Sequence, residues 1–597
     1  MHPSDRRTAS RVRSFLAALA LLPLAAAPVL AQPATPDWVA KSDQNTQILL
    51  DVLARFGPEG AGQLGIRGLD EEISDLKPGF REREEEAAKK VREELKKRLA
   101  AEGDPRVRQD LEILIQTVDD NLKGDEMGRK HYLPGYNPTQ SVFGGLRALL
   151  DDQVEAERRP AALVRLRKYA GLEPGYKPLT QLAEADVREH LKNPKLLGPF
   201  KEQVERNLNN NATVVAGIEE LFKKYGIQGY EEAYAKLKEQ LVAYDDFVRK
   251  EILPRARTDF RLPPELYAYR LEQVGVDMPV EELISRAQVS FREIQNEMET
   301  LAPLVAKEKG FAATDYRGVI KELKKKQITG DAILPHYEAR IKAMEEIIRR
   351  EGIVTLPERP MRFRLASEAE SVGSPAPHMN PPPLIGNKGE MGEFVLPLRI
   401  PGEAGQQALT IDDFTHEAMS WPLTAHEGRP GHELQFSSLV EKGVSKARAI
   451  FAVNSANAEG WALYTEVEVK PYLPLDGQFA TLQSRLVRAA RAFLDPSLQL
   501  GRMTREEALR VLREDVGLSE AMSLQEVQRY TFRSPGQATS YFVGYTRFIE
   551  MRVEAERALG PKFDRKAYHD FLLAQGILPP KLLRKALFEE FVPKYKG

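Results

Sequence analysis

The stretch REREEEAAKKVREELKKRLAAE at residues 81–102 combines strong helix formers with oppositely charged side chains spaced four residues apart. Glu85 and Lys89 form one such pair, and Glu94 and Arg98 form another. Side chains four residues apart lie on the same face of an α-helix, where opposite charges stabilise it. The stretch therefore predicts a solvent-exposed helix and indicates a helical fold.

Helical periodicity extends over most of the chain and predicts a mainly α-helical protein. Helical patterns cover residues 105–122, 183–192, 199–225, 230–252, 280–306, 316–326, 331–352 and, after a break, 406–421 and much of the remainder. The break is rich in proline and ends in a short apolar run at 392–398 that predicts a strand. We therefore expect a helical N-terminal lobe at 32–353 and a second lobe at 354–597 that contains a small β-sheet.

Residues 1–31 have the pattern of a secretory signal peptide. Several arginines precede an apolar run at residues 15–30, and Val29-Leu30-Ala31 approximates a small-residue cleavage site. Pro23 and Pro28 interrupt this run, which is also shorter than the ~20 residues of a membrane-spanning helix. We therefore expect a periplasmic or secreted protein that has no membrane span once the signal is cleaved.

The composition excludes several classes of protein. The 597 residues include no cysteine and nine histidines, and the formal net charge is -2. A chain without cysteine has no disulfide framework, no zinc finger, no iron–sulfur cluster and no cysteine nucleophile. The balanced charge argues against nucleic-acid binding. Any tightly held metal ion must therefore be bound by histidine and carboxylate side chains.

The stretch TAHEGRPGHELQ at residues 424–435 carries the most specific chemical signal. Glu427 directly follows His426, and His432 lies six residues after His426. In zinc peptidases with an H-E-x-x-H motif, two histidines four residues apart bind one ion from a single helix face. Six residues on a regular helix would point the two side chains ~120° apart. We therefore expect Pro430-Gly431 to distort the helix into a bulge that returns His432 to His426.

A site with two histidines needs a third protein ligand. The stretch EGWALYTE at residues 459–466 places Glu459 and Glu466 seven residues apart on one face of a predicted helix. We assign Glu459 as the third ligand, and Glu466 or His416 as the side chain that orients the ligands through hydrogen bonds. His416 also fits a purely structural role, and Gln435 either orients a ligand or caps a turn.

Three segments together resemble the bacterial family named domain of unknown function 885. Residues 426–435 are similar to the family pattern H-E-x-x-P-G-H-H-x-Q, with Glu433 in place of the second adjacent histidine. EGWALY at 459–464 and PGQATSYFVG at 535–544 are similar to the patterns E-G-W-A-L-Y and P-x-Q-A-x-S-Y-x-x-G. With a weaker likeness near residues 64–76, the resemblance covers most of the mature chain.

The family in turn resembles zinc metallopeptidases with a glutamate as third ligand, which include large two-lobed helical proteins that enclose a deep channel. The resemblance therefore implies a zinc-dependent peptidase acting on oligopeptides, with one Zn²⁺ held by His426, His432 and Glu459. Glu427 is then the general base for a metal-activated water molecule. By analogy with helical zinc peptidases, Tyr541 is the expected donor to the oxyanion, although a tyrosine packed in a helix interface fits the same pattern.

Further residues are candidates for gripping a peptide, namely His378, Arg533, Tyr545 and Arg547. We also expect an edge strand at residues 394–398, which could pair with the backbone of an extended peptide.

Two alternatives to a peptidase remain. One is a metal-dependent amidase that acts on cell-wall peptides or other amides. The other is a non-catalytic helical protein that binds a metal ion. Glu427 argues against the second alternative, because metal binding alone does not require a general base.

Overall fold

The computed structural model of the chain describes residues 36–400 and 409–596. The expected signal peptide at residues 1–31 lies outside this part of the chain. Residues from Asp37 onward belong to one compact unit, and the protein is mainly helical, with 70% helix and 3% strand. The expected boundary between two lobes near residue 354 stays a prediction.

The N-terminal part consists of helices joined by turns and by longer loops. These helices are α1 (Asp37–Phe56), α2 (Pro58–Gln63), α3 (Phe80–Ala101), α4 (Pro105–His131), α5 (Pro138–Arg147), α6 (Ala161–Tyr169), α7 (Leu179–Leu191), α8 (Lys201–Lys224), α9 (Glu231–Phe247), α10 (Pro264–Gln273), α11 (Val280–Lys309), α12 (Tyr316–Lys325) and α13 (Ile333–Glu351). Helix α3 confirms the prediction for residues 81–102. Its predicted ion pairs also form, with Lys89 Nζ 2.6 Å from Glu85 Oε1 and Arg98 Nε 3.0 Å from Glu94 Oε1.

A small sheet follows α13, as the sequence predicts. It contains β1 (Arg362–Leu365), β2 (His378–Asn380) and β3 (Glu393–Leu396), with the short helix α14 (Glu368–Gly373) between the first two strands. Strand β3 lies in the centre, parallel to β1 and antiparallel to β2. The strand predicted near residues 394–398 therefore exists, but its expected place at a sheet edge is wrong. All four β3 residues are buried. Phe394, Val395 and Leu396 form the apolar run typical of a central strand, and the buried Glu393 carboxylate pairs with Arg364 Nε at 2.9 Å.

A two-stranded ribbon precedes the remaining helices and corrects one prediction. Strands β4 (Arg399–Ile400) and β5 (Leu409–Thr410) pair antiparallel. A helix was expected at residues 406–421, but within the described residues the helix begins only at Glu417. Buried Asp413 holds the irregular segment before this helix in place, because its carboxylate accepts hydrogen bonds from Lys324 Nζ (2.7 Å) and Ser519 N (2.9 Å).

The C-terminal helices are α15 (Glu417–Glu427), α16 (His432–Lys442), α17 (Ser455–Val469), α18 (Leu475–Gln499), α19 (Arg505–Arg510), α20 (Glu520–Gln528), α21 (Ser540–Leu559), α22 (Arg565–Ala574), α23 (Pro580–Ala586) and α24 (Val592–Lys596). Helix α18 packs along α11, and side chains such as Met298 and Phe493 are buried in the core between them. Helix α17 packs along α21 in a second core region. None of the described helices is both long and apolar enough to cross a bilayer.

Candidate metal centre

His426 and His432 meet at a break between two helices. Helix α15 ends at Glu427 and α16 begins at His432, so the residues between them form a turn instead of the predicted bulge. Pro430 lies in this turn, and proline disfavours a continuous helix because it lacks an N–H and its ring clashes with the preceding turn. Gly431 completes the turn, because an added Cβ there would lie 2.1 Å from the His426 carbonyl oxygen. The two imidazole rings lie with their centres 4.8 Å apart.

Glu459 of α17 completes a cluster of three possible metal ligands. Its Oε2 atom lies 3.2 Å from His432 Nε2 and 3.4 Å from His426 Nε2, and one donor atom from each residue lies within 4.8 Å of the others. Burial opposes ionisation of Glu459, but the two neighbouring histidines outweigh burial and hold its pKa well below the usual range. Three convergent nitrogen and oxygen donors, one of them anionic, fit a divalent metal ion such as zinc.

Glu466 fixes the orientation of His426. Its Oε1 atom accepts a hydrogen bond from His426 Nδ1 at 2.7 Å, and both side chains are buried. A donor proton on Nδ1 leaves the lone pair on Nε2, which is the atom next to Glu459. Glu466 therefore lies where a residue that orients a ligand is expected.

The close contact between α17 and α21 explains why Glu459 lies beside the segment at residues 535–544. An added Cβ on Gly460 would lie 2.4 Å from the carbonyl carbon of Gly544, and one on Gly544 would lie 1.8 Å from Ala456 O. The two helices can approach this closely only because both positions lack a side chain. The contact brings Gln537 Nε2 to 3.4 Å from Glu459 Oε1.

Glu427 lies beside the three candidate ligands and lines the adjacent cavity. The carboxyl group is buried, and burial raises its pKa to about 7. A carboxyl group whose pKa lies near neutral pH can accept a proton and release it again with little cost. Its position and its pKa both suit a general base.

Tyr541 of α21 lies against the same centre. Its ring is nearly parallel to that of His426, with ring centres 6.0 Å apart. Its hydroxyl oxygen accepts a hydrogen bond from Arg529 Nη2 at 2.8 Å. Burial raises the pKa of Tyr541, so the hydroxyl keeps its proton at neutral pH and can donate it.

Two adjoining cavities border the cluster. The larger, of about 390 Å³, is lined by Glu427, His432, Glu459 and Tyr541, by the loop at residues 373–379, and by Arg529 and Arg533. The smaller, of about 80 Å³, is lined by residues that include His416, His426, Arg488 and Arg491, and it shares Glu427, Arg529 and Tyr541 with the larger cavity. The centre therefore opens into a space of the size that holds small ligands.

The predicted peptide-gripping residues divide into two pairs. His378, at the start of edge strand β2, and Arg533 both line the larger cavity. Tyr545 and Arg547 line neither cavity described above. Tyr545 packs against Arg485, and Arg547 forms an ion pair with Asp277 at 2.7 Å. Tyr545 follows Tyr541 by one helical turn, and a turn advances ~5.4 Å along the axis.

His416 and Gln435 form no hydrogen bond with the candidate ligands among the described residues. His416 precedes α15 and lines the smaller cavity, and burial lowers its pKa to about 4. Gln435 Nε2 donates instead to Asn457 Oδ1 at 2.9 Å. Among the residues proposed to orient the ligands, only Glu466 makes the contact in the described structure.

Glu433 points away from the candidate ligands. Its carboxylate is fully buried and accepts hydrogen bonds from Arg429 Nε at 2.6 Å and from Ser437. Arg429 also pairs with Glu345 at 2.7 Å. The carboxylate therefore belongs to a buried ion-pair network, and His432 supplies the imidazole next to Glu459.

The sequence patterns do not single out Gln537 or Arg529. Gln537 Nε2 donates to Glu459, and Gln537 Oε1 accepts from Arg529 Nε at 3.0 Å. Gln537 lies within PGQATSYFVG, so its place in that segment was the available signal. Arg529 lies four residues before Arg533, and this spacing on one helix face could have indicated it.

Fold and site together define a large helical protein with a His-His-Glu cluster beside a cavity. The chain belongs to the family described as bacterial protein of unknown function (DUF885), whose sequence profile matches residues 58–587. No curated protein matches this chain.

Two solved structures share this fold. One is a candidate lipoprotein of unknown function from Shewanella oneidensis, with a TM-score of 0.67 and 20% sequence identity over 92% of this chain and 99% of that one. The other is a candidate lipoprotein from Colwellia psychrerythraea, with a TM-score of 0.72 and 17% identity over 93% of this chain and 99% of that one. At these identities the likeness concerns the fold alone.

Proposed function

We propose that this protein is an exported zinc-dependent peptidase that hydrolyses peptide bonds of oligopeptides. The observation that carries the proposal is the convergence of His426, His432 and Glu459, with donor atoms within 4.8 Å of one another, beside the buried carboxyl group of Glu427. Export is supported by the signal-peptide pattern and by the description of both structural neighbours as candidate lipoproteins.

His426, His432 and Glu459 would hold the metal ion, and Glu466 would orient His426. A bound Zn²⁺ supplies a Lewis acid that polarises a carbonyl group and lowers the pKa of water. Glu466 keeps His426 in the tautomer whose Nε2 atom can bind the ion, because Nδ1 donates to its carboxylate.

Glu427 would move the proton during hydrolysis. A carboxylate oxygen of Glu427 takes a proton from the attacking water molecule and passes it to the nitrogen of the leaving amine. Burial supports the first step, because the raised pKa makes Glu427 a better proton acceptor than an exposed glutamate.

Tyr541 would stabilise the negative charge that develops on the carbonyl oxygen. Its hydroxyl donates to that oxygen, while Arg529 Nη2 donates to the hydroxyl oxygen. A hydrogen bond from a cation makes a hydroxyl a stronger donor. Preorganised donors of this kind contribute strongly to catalysis of acyl transfer.

Strand β2 would bind the peptide backbone. It is an edge strand of the described three-stranded sheet, and His378 and Met379 at its start line the larger cavity. An extended peptide can pair with such an edge through main-chain hydrogen bonds, which tolerate many side chains. Strand β2, and not the strand near residue 394, is therefore the proposed partner of the peptide backbone.

A peptide library analysed by mass spectrometry tests the proposal. We expect cleavage by the zinc-loaded protein, loss of cleavage after chelation, and recovery when zinc is restored. The Glu427→Gln variant should bind zinc, but it should cleave no peptide at a rate comparable to that of the unmodified protein. Cleavage of cell-wall fragments but not of peptides would favour the amidase. Stoichiometric zinc without turnover of either substrate would favour a metal-binding protein and overturn the peptidase.

A further inference from the structure

The larger cavity has an arginine-rich wall formed by the end of α20 and the segment that follows it. Arg529 and Arg533 line this wall together with one carboxylate, Glu526. That carboxylate already accepts two hydrogen bonds from Arg491, each 2.7 Å long, and lies 3.6 Å from Arg529 Nη1. The single acidic side chain on this wall is therefore engaged by Arg491 and Arg529 and not by Arg533.

Arg533 is held only by neutral acceptors in the described part of the chain. Its Nη1 atom donates to Gln525 Oε1 at 2.6 Å, and its Nη2 atom donates to Gly373 O at 3.1 Å. Burial, together with the positive charges of Arg206 and Arg529, lowers its pKa to about 10. The surroundings therefore destabilise the Arg533 cation, and a bound anion would stabilise it.

We propose that Arg533 binds a carboxylate of the peptide substrate close to the bond that is cleaved, an inference that rests on the peptidase function proposed above. A guanidinium group recognises a carboxylate through charge-assisted and often paired hydrogen bonds. Arg533 lines the same cavity as Glu427 and Glu459, so the carboxylate must lie near the reacting bond. The C-terminus is the carboxylate that every unblocked peptide carries, and its capture restricts cleavage to bonds near that end.

Binding of three matched peptides to the zinc-loaded Glu427→Gln protein tests this inference without turnover. The first is an N-acetylated alanine-rich hexapeptide with a free C-terminal carboxylate, and the second is the same peptide as a C-terminal amide. The third is the amide with glutamate as its last residue. Calorimetry should show about 10- to 100-fold tighter binding of the free acid than of the amide.

The third peptide identifies the source of the carboxylate. If glutamate restores tight binding to the amide, Arg533 accepts an acidic side chain as well as the C-terminus. If all three peptides bind equally, the inference is overturned.

Substitution of Arg533 separates binding of the carboxylate from damage to the fold. In an otherwise unchanged protein, Arg533→Gln should raise KM for the free-acid peptide by about 10- to 100-fold, leave kcat nearly unchanged, and not affect the amide. Arg533→Lys should recover part of the loss because it keeps the charge. Arg547→Ala, which removes an arginine outside the cavity, should have no such effect.

The outcomes keep the two proposals apart. Chelator-sensitive cleavage of acid and amide at equal rates would support the peptidase and overturn the role of Arg533. The carboxylate site would be supported if the free acid binds more tightly than the amide in the binding experiment. If the unmodified, zinc-loaded protein then cleaved no peptide, the peptidase would be overturned.

Discussion

The contact between α17 and α21 offers the sharpest structural test of the metal centre. An added Cβ on Gly460 would lie 2.4 Å from Gly544 C, whereas ordinary contacts of this kind begin near 3.4 Å. The Gly544 atoms that the added Cβ would meet belong to the backbone, so no flexible side chain can move aside. The Gly460→Ala variant must therefore separate the two helices by about 1 Å, directly beside Glu459.

The effect on the site should exceed the effect on stability. Overpacking costs about 1–3 kcal/mol, and alanine recovers up to ~1 kcal/mol through its higher helix propensity. With an unfolding entropy of ~2.1 cal/mol/K per residue, such a cost changes the melting temperature of so large a unit by only ~1–3 °C. A displacement of ~1 Å at a reacting group can lower the rate by ~100-fold.

Zinc affinity, kcat/KM and the melting temperature should be measured for the same preparations. We expect Gly460→Ala to lose zinc affinity and most activity while it melts within a few degrees of the parent protein. Gly144→Ala in α5 is the matched control, because no atom lies within 4 Å of its added Cβ. Parental zinc affinity and activity in Gly460→Ala would refute the argument that this contact positions Glu459.

The remaining predictions concern the carboxylates of the site. Glu427→Gln should keep zinc affinity but lower kcat by at least ~100-fold, the usual contribution of a general base; an equal loss of zinc would instead make Glu427 a ligand. Because Glu427 acts when ionised and burial raises its pKa to about 7, kcat/KM should rise with pH along a limb that lies above the usual titration range of glutamate; a flat profile from pH 5 to 8 would contradict this. Glu466→Gln should weaken zinc binding by about 10- to 100-fold in chelator competition, with Gln435→Ala as the control that does not. Glu433→His should destabilise the protein by roughly 3 kcal/mol in denaturant unfolding, because Arg429 loses a buried partner; tighter zinc binding at unchanged stability would show that position 433 faces the metal.

Local periodicity was sufficient to predict most helices and the existence of a short strand. The position of that strand within the sheet was not predictable, because it depends on pairing with residues 378–380 and 362–365, and no local pattern encodes such pairing. The helix expected at 406–421 begins only at Glu417 in the described residues, and the reason is related. Asp413 is fixed by contacts with Lys324 and Ser519, which are distant in sequence.

The candidate ligands were predictable because their chemistry is carried by few residue types. Without cysteine, a metal site must use histidine and carboxylate, and Pro430-Gly431 marked the place where the chain had to turn. The cavity wall was harder to predict, because the loop at 373–379 and Arg533 meet only in the folded chain. Tyr545 shares a helix face with Tyr541, yet the cavity ends before the next turn.

Gln537 shows why an amide suits the junction between the candidate metal ligand Glu459 and the proposed oxyanion donor Tyr541. Its Nε2 atom donates to Glu459 Oε1, and its Oε1 atom accepts from Arg529, which in turn donates to the hydroxyl oxygen of Tyr541. A carboxylate in this position could accept from Arg529 but would repel Glu459, and an ammonium group could donate to Glu459 but would repel Arg529. Only a group that donates and accepts at once connects the ligand to the tyrosine without an unpaired charge. The glutamine of PGQATSYFVG therefore connects Glu459 to Tyr541, so that displacement of one side chain would disturb both the proposed metal binding and the proposed stabilisation of the oxyanion.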